Sequence, residues 1–163
     1  RTAIAAFLEA RHPEPALIPV TGRDSHLVHV LEDWADESLY WYEVYFRFMW
    51  KDAADKAFSV IQQGRPAYEK PLILAAAVPM MRKKLREQGL GKYDAATVTR
   101  QFLEHLAHLE GLLADGDWLV GNSCTLADIA VASQLAEVKR TSHLAGRFAD
   151  YPALQKWLAR VGD

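Results

Sequence analysis

An all-α fold, a bundle of five to six helices with a short N-terminal appendage, is what the sequence predicts. Apolar residues recur at three- and four-residue spacing through most of the chain, and no stretch alternates as a strand ladder would. Thr125 and Asp128 stand three apart just before an apolar run, the mark of a capping box. Pro152 sits where a last helix would take its first residue. Half of the 163 residues are apolar and a quarter charged, enough to bury one sizeable core.

Ile4, Phe7 and Leu8 set a first helix, which must end by Arg11. His12-Pro13-Glu14-Pro15 follows, and a residue before proline is pushed out of the α region. Leu17, Ile18 and Pro19 form an extended connector. Thr21 and Asp24 then give a capping-box-like start to a helix from Gly22 to about Trp50. Leu27, Leu31, Trp34, Leu39, Tyr42 and Phe46 lie on one side of it, with Trp41, Tyr45 and Phe48 on a neighbouring face. A helix apolar on more than one side is central, packed between neighbours. The pattern continues to Gln63 after a break near Asp52, and Gly64 and Pro66 close it. Pro71 to about Glu87 comes next, with a kink or restart expected at Pro79, which removes a donor and crowds the Ala75 carbonyl. Asp94 opens a helix whose stripe is Val98, Phe102, Leu106, Leu109 and Leu113. A turn-rich loop carries Trp118-Leu119-Val120, a helix follows from Thr125 to about Val138, and Leu154, Trp157, Leu158 and Val161 mark the last.

Several function classes are excluded early. Nineteen Lys and Arg against 21 Asp and Glu leave a net charge of −2, which offers no general electrostatic claim on nucleic acid or acidic lipid. The longest apolar run, Leu72 to Met81, falls well short of the roughly 20 residues a bilayer needs. One cysteine can close no internal disulfide, so a reducing cytoplasm is the expected setting. The chain opens in mid-pattern at Arg1-Thr2-Ala3-Ile4 and reads as cut from something longer.

The sharpest motif is Gly121-Asn122-Ser123-Cys124-Thr125-Leu126-Ala127-Asp128-Ile129. The Thr125 hydroxyl can accept from the Asp128 amide while the Asp128 carboxylate takes the Thr125 amide, and Cys124 and Ile129 are placed as a hydrophobic staple. With Asp150-Tyr151-Pro152-Ala153-Leu154-Gln155-Lys156-Trp157, this stretch resembles the C-terminal helical domain of glutathione transferases. Thr2 to Glu9 resembles the last helix of that family's thioredoxin-like domain, and Leu17-Ile18-Pro19 its interdomain linker. The resemblance divides the chain into a thioredoxin-like remnant at 1–12, a linker at 13–21 and a helical domain at 22–163. It implies that the activating hydroxyl or thiol lies upstream, so no residue here is assigned a catalytic role. The family's serine for the γ-glutamyl group of glutathione, the implied co-substrate, falls at Arg1; Arg1 and Thr2 are the cofactor contacts it implies.

Within the aromatic cluster, Tyr40, Trp41 and Tyr45 are the candidates to face the electrophile pocket, most of the others being core. His26 with His29, and His105 with His108, stand at i, i+3, yet no third ligand at recognisable spacing completes a metal site. Cys124 reads as a small apolar residue of the staple. Arg82-Lys83-Lys84-Leu85-Arg86 reads as a solvated face near a helix end, complementing its dipole, and Glu32-Asp33 with Asp36-Glu37 as the acidic balance. The resemblance therefore implies the substrate-side half of an enzyme that joins glutathione to a small hydrophobic electrophile, paired as a homodimer. A non-enzymatic interaction module built on the same helices is the rival, because fold alone does not decide function.

Overall fold

The computed structural model describes residues 2–19, 21–61, 64, 66 and 68–162, and among these every regular element is helical. The elements are α1 (Thr2–Arg11), α2 (Arg23–Trp34), α3 (Tyr40–Met49), α4 (Lys51–Ile61), α5 (Glu69–Gln88), α6 (Ala95–Leu113), α7 (Leu126–Thr141) and α8 (Pro152–Val161). Ala35–Leu39 is a π-helical segment that joins α2 to α3 without a break. With that rod counted once, the described residues form six bundle helices beyond α1, the all-α bundle expected.

α3 is the central helix, packed on α4, α5 and α7. Its residues Tyr42, Glu43, Val44, Tyr45, Phe46 and Phe48 are all buried. Phe46 meets Phe102 of α6 at 5.1 Å between ring centroids, so the aromatic stripe of one helix fills the gaps of the next. The α6 stripe lies inward as its spacing requires, from Val98 to Leu113. Arg82 of the basic run turns back to the end of α3, its Nε donating to the Phe48 carbonyl at 3.0 Å and satisfying a terminal acceptor. Lys83, Lys84 and Arg86 stay exposed.

Three local expectations change. The Thr21–Asp24 box does not cap α2: Gly22 is the N-cap, at φ 87°, with no side-chain cap bond. α5 runs through Pro79 as one continuous helix, so the restart does not occur, and Pro79 itself is exposed. Ile129 remains 40% exposed, so the staple opposite Cys124 does not bury it.

Asp128 joins the C-terminal half. Its side chain is 0% exposed. One carboxylate oxygen accepts from the Thr125 amide (2.8 Å) and hydroxyl (2.7 Å); the other accepts from the Leu119 amide (2.9 Å) and Trp157 Nε1 (2.8 Å). The capping box is present in both directions. The connector adds a further cap, because the Leu126 amide, an orphan donor of α7, reaches the Leu17 carbonyl at 2.8 Å. Glu9 of α1 holds that connector by accepting from the Leu17 and Ile18 amides at 2.9 and 3.0 Å.

α8 has no side-chain N-cap of its own; Glu110 of α6 takes the Ala153 and Leu154 amides at 3.0 and 2.8 Å. Glu110→Ala should therefore destabilise the chain by about 1–2 kcal/mol, the cost of a lost N-terminal cap, with Glu110→Gln between it and wild type. Urea denaturation measures this, and an unchanged midpoint for Glu110→Ala would show that water caps α8 equally well.

Candidate functional site

A cleft of about 410 Å³ opens between α1 and the pair formed by the α2–α3 rod and α7. That volume is in the range of small-molecule sites. Ala5, Tyr40, Leu126 and Ile129 give it apolar walls, while its floor carries Glu43, Arg47 and Glu137. Arg47 lies between two carboxylates: it pairs with Glu43 one turn back, and its Nη2 donates to Glu137 at 2.8 Å. Arg140 holds both oxygens of Glu137 at 2.9 and 2.7 Å, which fixes the far end of the network.

Glu43 is 2% exposed. Burial pushes its carboxyl up from the usual 4.5 to about 7; Arg47 opposes the rise and Glu137 adds to it. Near neutral pH the floor thus holds a carboxyl able to take or give a proton. The family-like sequence pattern gave no sign of this. A signal was nonetheless present, because Glu43 and Arg47 are the two charges in an otherwise aromatic stretch, spaced one turn apart.

The residues singled out from the sequence fall in separate places. Tyr40 lines the α1 cleft. Trp41 lines a second cavity with Tyr93 and Lys92, and the two cavities share no lining residue. Tyr45 is 1% exposed within the core, its hydroxyl donating to the Tyr93 carbonyl at 3.4 Å, and burial raises its pKa. Successive helical positions are roughly 100° apart, so neighbours on one helix do not share a wall. Thr2 begins α1, and Arg1 lies outside the described residues. Thr125 and Asp128 are both buried in the junction described above.

Cys124 is half-buried, and burial together with the Asp128 charge raises its thiol pKa. The helix N-terminus therefore does not make it a ready thiolate. His105 packs edge-on against Trp34 and Tyr42 at 5.5 and 5.1 Å, and burial lowers its pKa. Among the described residues no group of three or more His, Cys, Asp or Glu is placed to hold a metal ion, and no helix is long and apolar enough to cross a membrane. Glu32, read from the sequence as part of the acidic balance to the basic run, is 6% exposed and lines the cleft.

The sequence model of the glutathione S-transferase C-terminal domain matches residues 74–160. The chain belongs to the glutathione S-transferase family. Its fold is similar to the crystal structure of a glutathione S-transferase from Rhodospirillum rubrum F11, at 19% identity and a TM-score of 0.56 over 98% of this chain and 58% of that one. It is also similar to the β-etherase of Sphingobium sp. strain SYK-6, at 25% identity and a TM-score of 0.61 over 98% of this chain and 67% of that one. No match was found among the curated proteins. This transferase-family chain thus spans a little over half of the first of these structures.

The raised Glu43 pKa has a definite sign. The folded state holds the Glu43 proton more tightly than the unfolded chain, so its contribution to stability is complete below about pH 4.5 and is lost as pH rises through about 7. Urea denaturation from about pH 5 to 8 should show wild type losing more stability than Glu43→Gln over that interval. Parallel profiles for the two proteins would contradict the burial of an ionisable Glu43 in the cleft floor.

Proposed function

We propose that this chain is the substrate-side half of a glutathione-dependent enzyme that transfers glutathione to small electrophiles with an apolar body. One observation carries the reading: Ala5 of α1 and Tyr40 of the central rod line the same cleft. In this reading α1 is the last helix of a thioredoxin-like domain, residues 13–21 are the linker, and the helical domain begins at residue 22. Support comes from the apolar face of α1, where Ile4, Phe7 and Leu8 are 66, 56 and 51% exposed, as on a helix whose sheet lies elsewhere in the protein. The cleft then opens beside the domain that holds glutathione, and its Tyr40 side receives the electrophile.

The parts divide as follows. In this reading the thiolate is stabilised by donors of the thioredoxin-like domain. Tyr40, Leu126 and Ile129 exclude water from the apolar body of the second substrate. The Glu43 carboxyl places a proton-holding group at the floor, and Arg47, paired with Glu43 and Glu137, holds it there. The parent is a homodimer of the cytoplasm, where glutathione keeps thiols reduced. A second reading, cleavage of an ether, is favoured by the likeness to the β-etherase.

Two measurements test this. The 163-residue chain alone should neither bind glutathione in the micromolar range nor conjugate it to a generic aromatic halide, whereas the longer gene product should do both. In that longer protein Tyr40→Ala should raise KM for the electrophile several-fold and leave KM for glutathione unchanged. Turnover by the 163-residue chain alone, or a Tyr40→Ala effect confined to glutathione, would overturn the assignment.

A further inference from the structure

We propose that Glu43, on the floor of the α1 cleft, is a catalytic acid that gives its proton to an oxygen leaving group as glutathione displaces that group from carbon. The inference rests on the glutathione-transfer reading above. It deepens that reading to a substrate class: ethers whose oxygen departs as a phenol.

Tyr40, Glu43 and Arg47 follow one another at three- and four-residue spacing, so they share one face of α3, and all three line the cleft. Residues so spaced have Cβ atoms about 5–6 Å apart. An electrophile whose apolar body lies against Tyr40 therefore brings its reacting end within one helical turn of the Glu43 carboxyl. Glu43 Oε1 accepts no hydrogen bond among the described residues, although Arg47 pairs with it by charge. A buried polar oxygen without a donor is uncommon in folded proteins. At the floor of a cleft, such an oxygen is left for a group that arrives with the substrate.

The charged groups around Glu43 come from two sides. Arg47 stands on its own helix, with Glu32 and Asp36 further back along the rod; Glu137 and Arg140 come from α7, and α1 brings the apolar Ala5. Glu137 has two guanidinium partners, Arg47 and Arg140, whereas Glu43 shares Arg47 with it. Burial then keeps Glu43 protonated up to about pH 7. The two carboxyls thus differ in role: Glu137 anchors Arg47, and Glu43 carries the mobile proton. The step balances without a further reactant. A lone pair of the glutathione thiolate forms the C–S bond, the C–O pair moves onto oxygen, and that oxygen takes the Glu43 proton and leaves as a phenol. Glu43 remains as a carboxylate beside Arg47 and regains its proton from water. A phenol has an ordinary pKa of about 10, as in tyrosine, which lies above that of the Glu43 carboxyl, so the transfer runs downhill. Chloride departs as a stable anion and needs no proton.

The probes are 2-phenoxyacetophenone and 2-chloroacetophenone, which present the same carbon to the thiolate, yield the same thioether and differ in leaving group alone. The longer gene product is assayed with both. The readout is the ratio of kcat/KM for the ether to that for the chloride, in which the ionisation of glutathione cancels. Glu43→Gln should lower this ratio about a hundredfold, the low end of what a positioned proton donor contributes. In wild type the ratio should fall as pH rises through about 7, where Glu43 gives up its proton, and in Glu43→Gln it should be flat. Glu104→Gln, at an exposed carboxyl of α6 outside the cleft, should keep the wild-type ratio. Turnover of the chloride with no turnover of the ether, or with a ratio that neither Glu43→Gln nor pH alters, would overturn the role of Glu43 and leave the transferase reading standing. Turnover of neither probe would overturn the transferase reading, and this inference with it.

Discussion

A single buried carboxylate joins the C-terminal half of this molecule. Asp128 is fully enclosed and accepts four hydrogen bonds, two at each oxygen. A carboxylate has about four lone-pair positions to offer, so none is left over. Burying a charge costs free energy unless its hydrogen bonds are complete, and here they come from three separate segments. Thr125 supplies the start of α7, Leu119 the preceding loop and Trp157 the last helix. Moving any of the three away would leave a charge or an N–H unpaired in the core. The position of α7 follows from this, and with it the α7 wall of the cleft, because Leu126, Ile129 and Glu137 all project from that helix.

The same helix start ties the N-terminal appendage to the bundle. The Leu17 carbonyl takes the Leu126 amide, and Glu9 holds the Leu17 and Ile18 amides. α1 is therefore set by the Glu9 carboxylate, which holds the connector's amides, and its apolar face stays exposed. The cleft is a consequence of these two junctions. One fixes its α7 wall, and the other fixes α1 across from it.

Much of the fold was legible in the sequence because it rests on local rules. The α6 stripe, the capping box, the proline start of α8 and the end of α1 each depend on residues within a few positions of one another. What was not legible depends on contacts between distant segments. Asp128 reads as a cap from its spacing to Thr125, but its bond to Trp157 spans 29 positions and has no local signature. The π-helical segment at Ala35–Leu39 also escaped notice, since its apolar spacing differs little from that of an α-helix. Of the aromatic candidates, the sequence offered three on one helix and no means of choosing a face. Only the packing places Tyr40 toward α1, Trp41 toward the α5–α6 corner and Tyr45 inside the core. The ionic floor was missed for the opposite reason: Glu43 and Arg47 were in plain view, but their partner Glu137 comes from a helix some ninety positions away.

The most direct measurement of the Asp128 junction is a double-mutant cycle between Asp128→Asn and Trp157→Phe, read by urea denaturation of the wild type, both single variants and the pair. If the carboxylate binds α7 and α8 into one unit, each single change removes the shared bond, and the two effects are strongly non-additive. The coupling energy should then be about 1–3 kcal/mol, the range for residues joined in one buried network. Additivity to within about 0.5 kcal/mol, the behaviour of independent sites, would show that Asp128 caps α7 alone and that packing, not this carboxylate, holds the last helix in place.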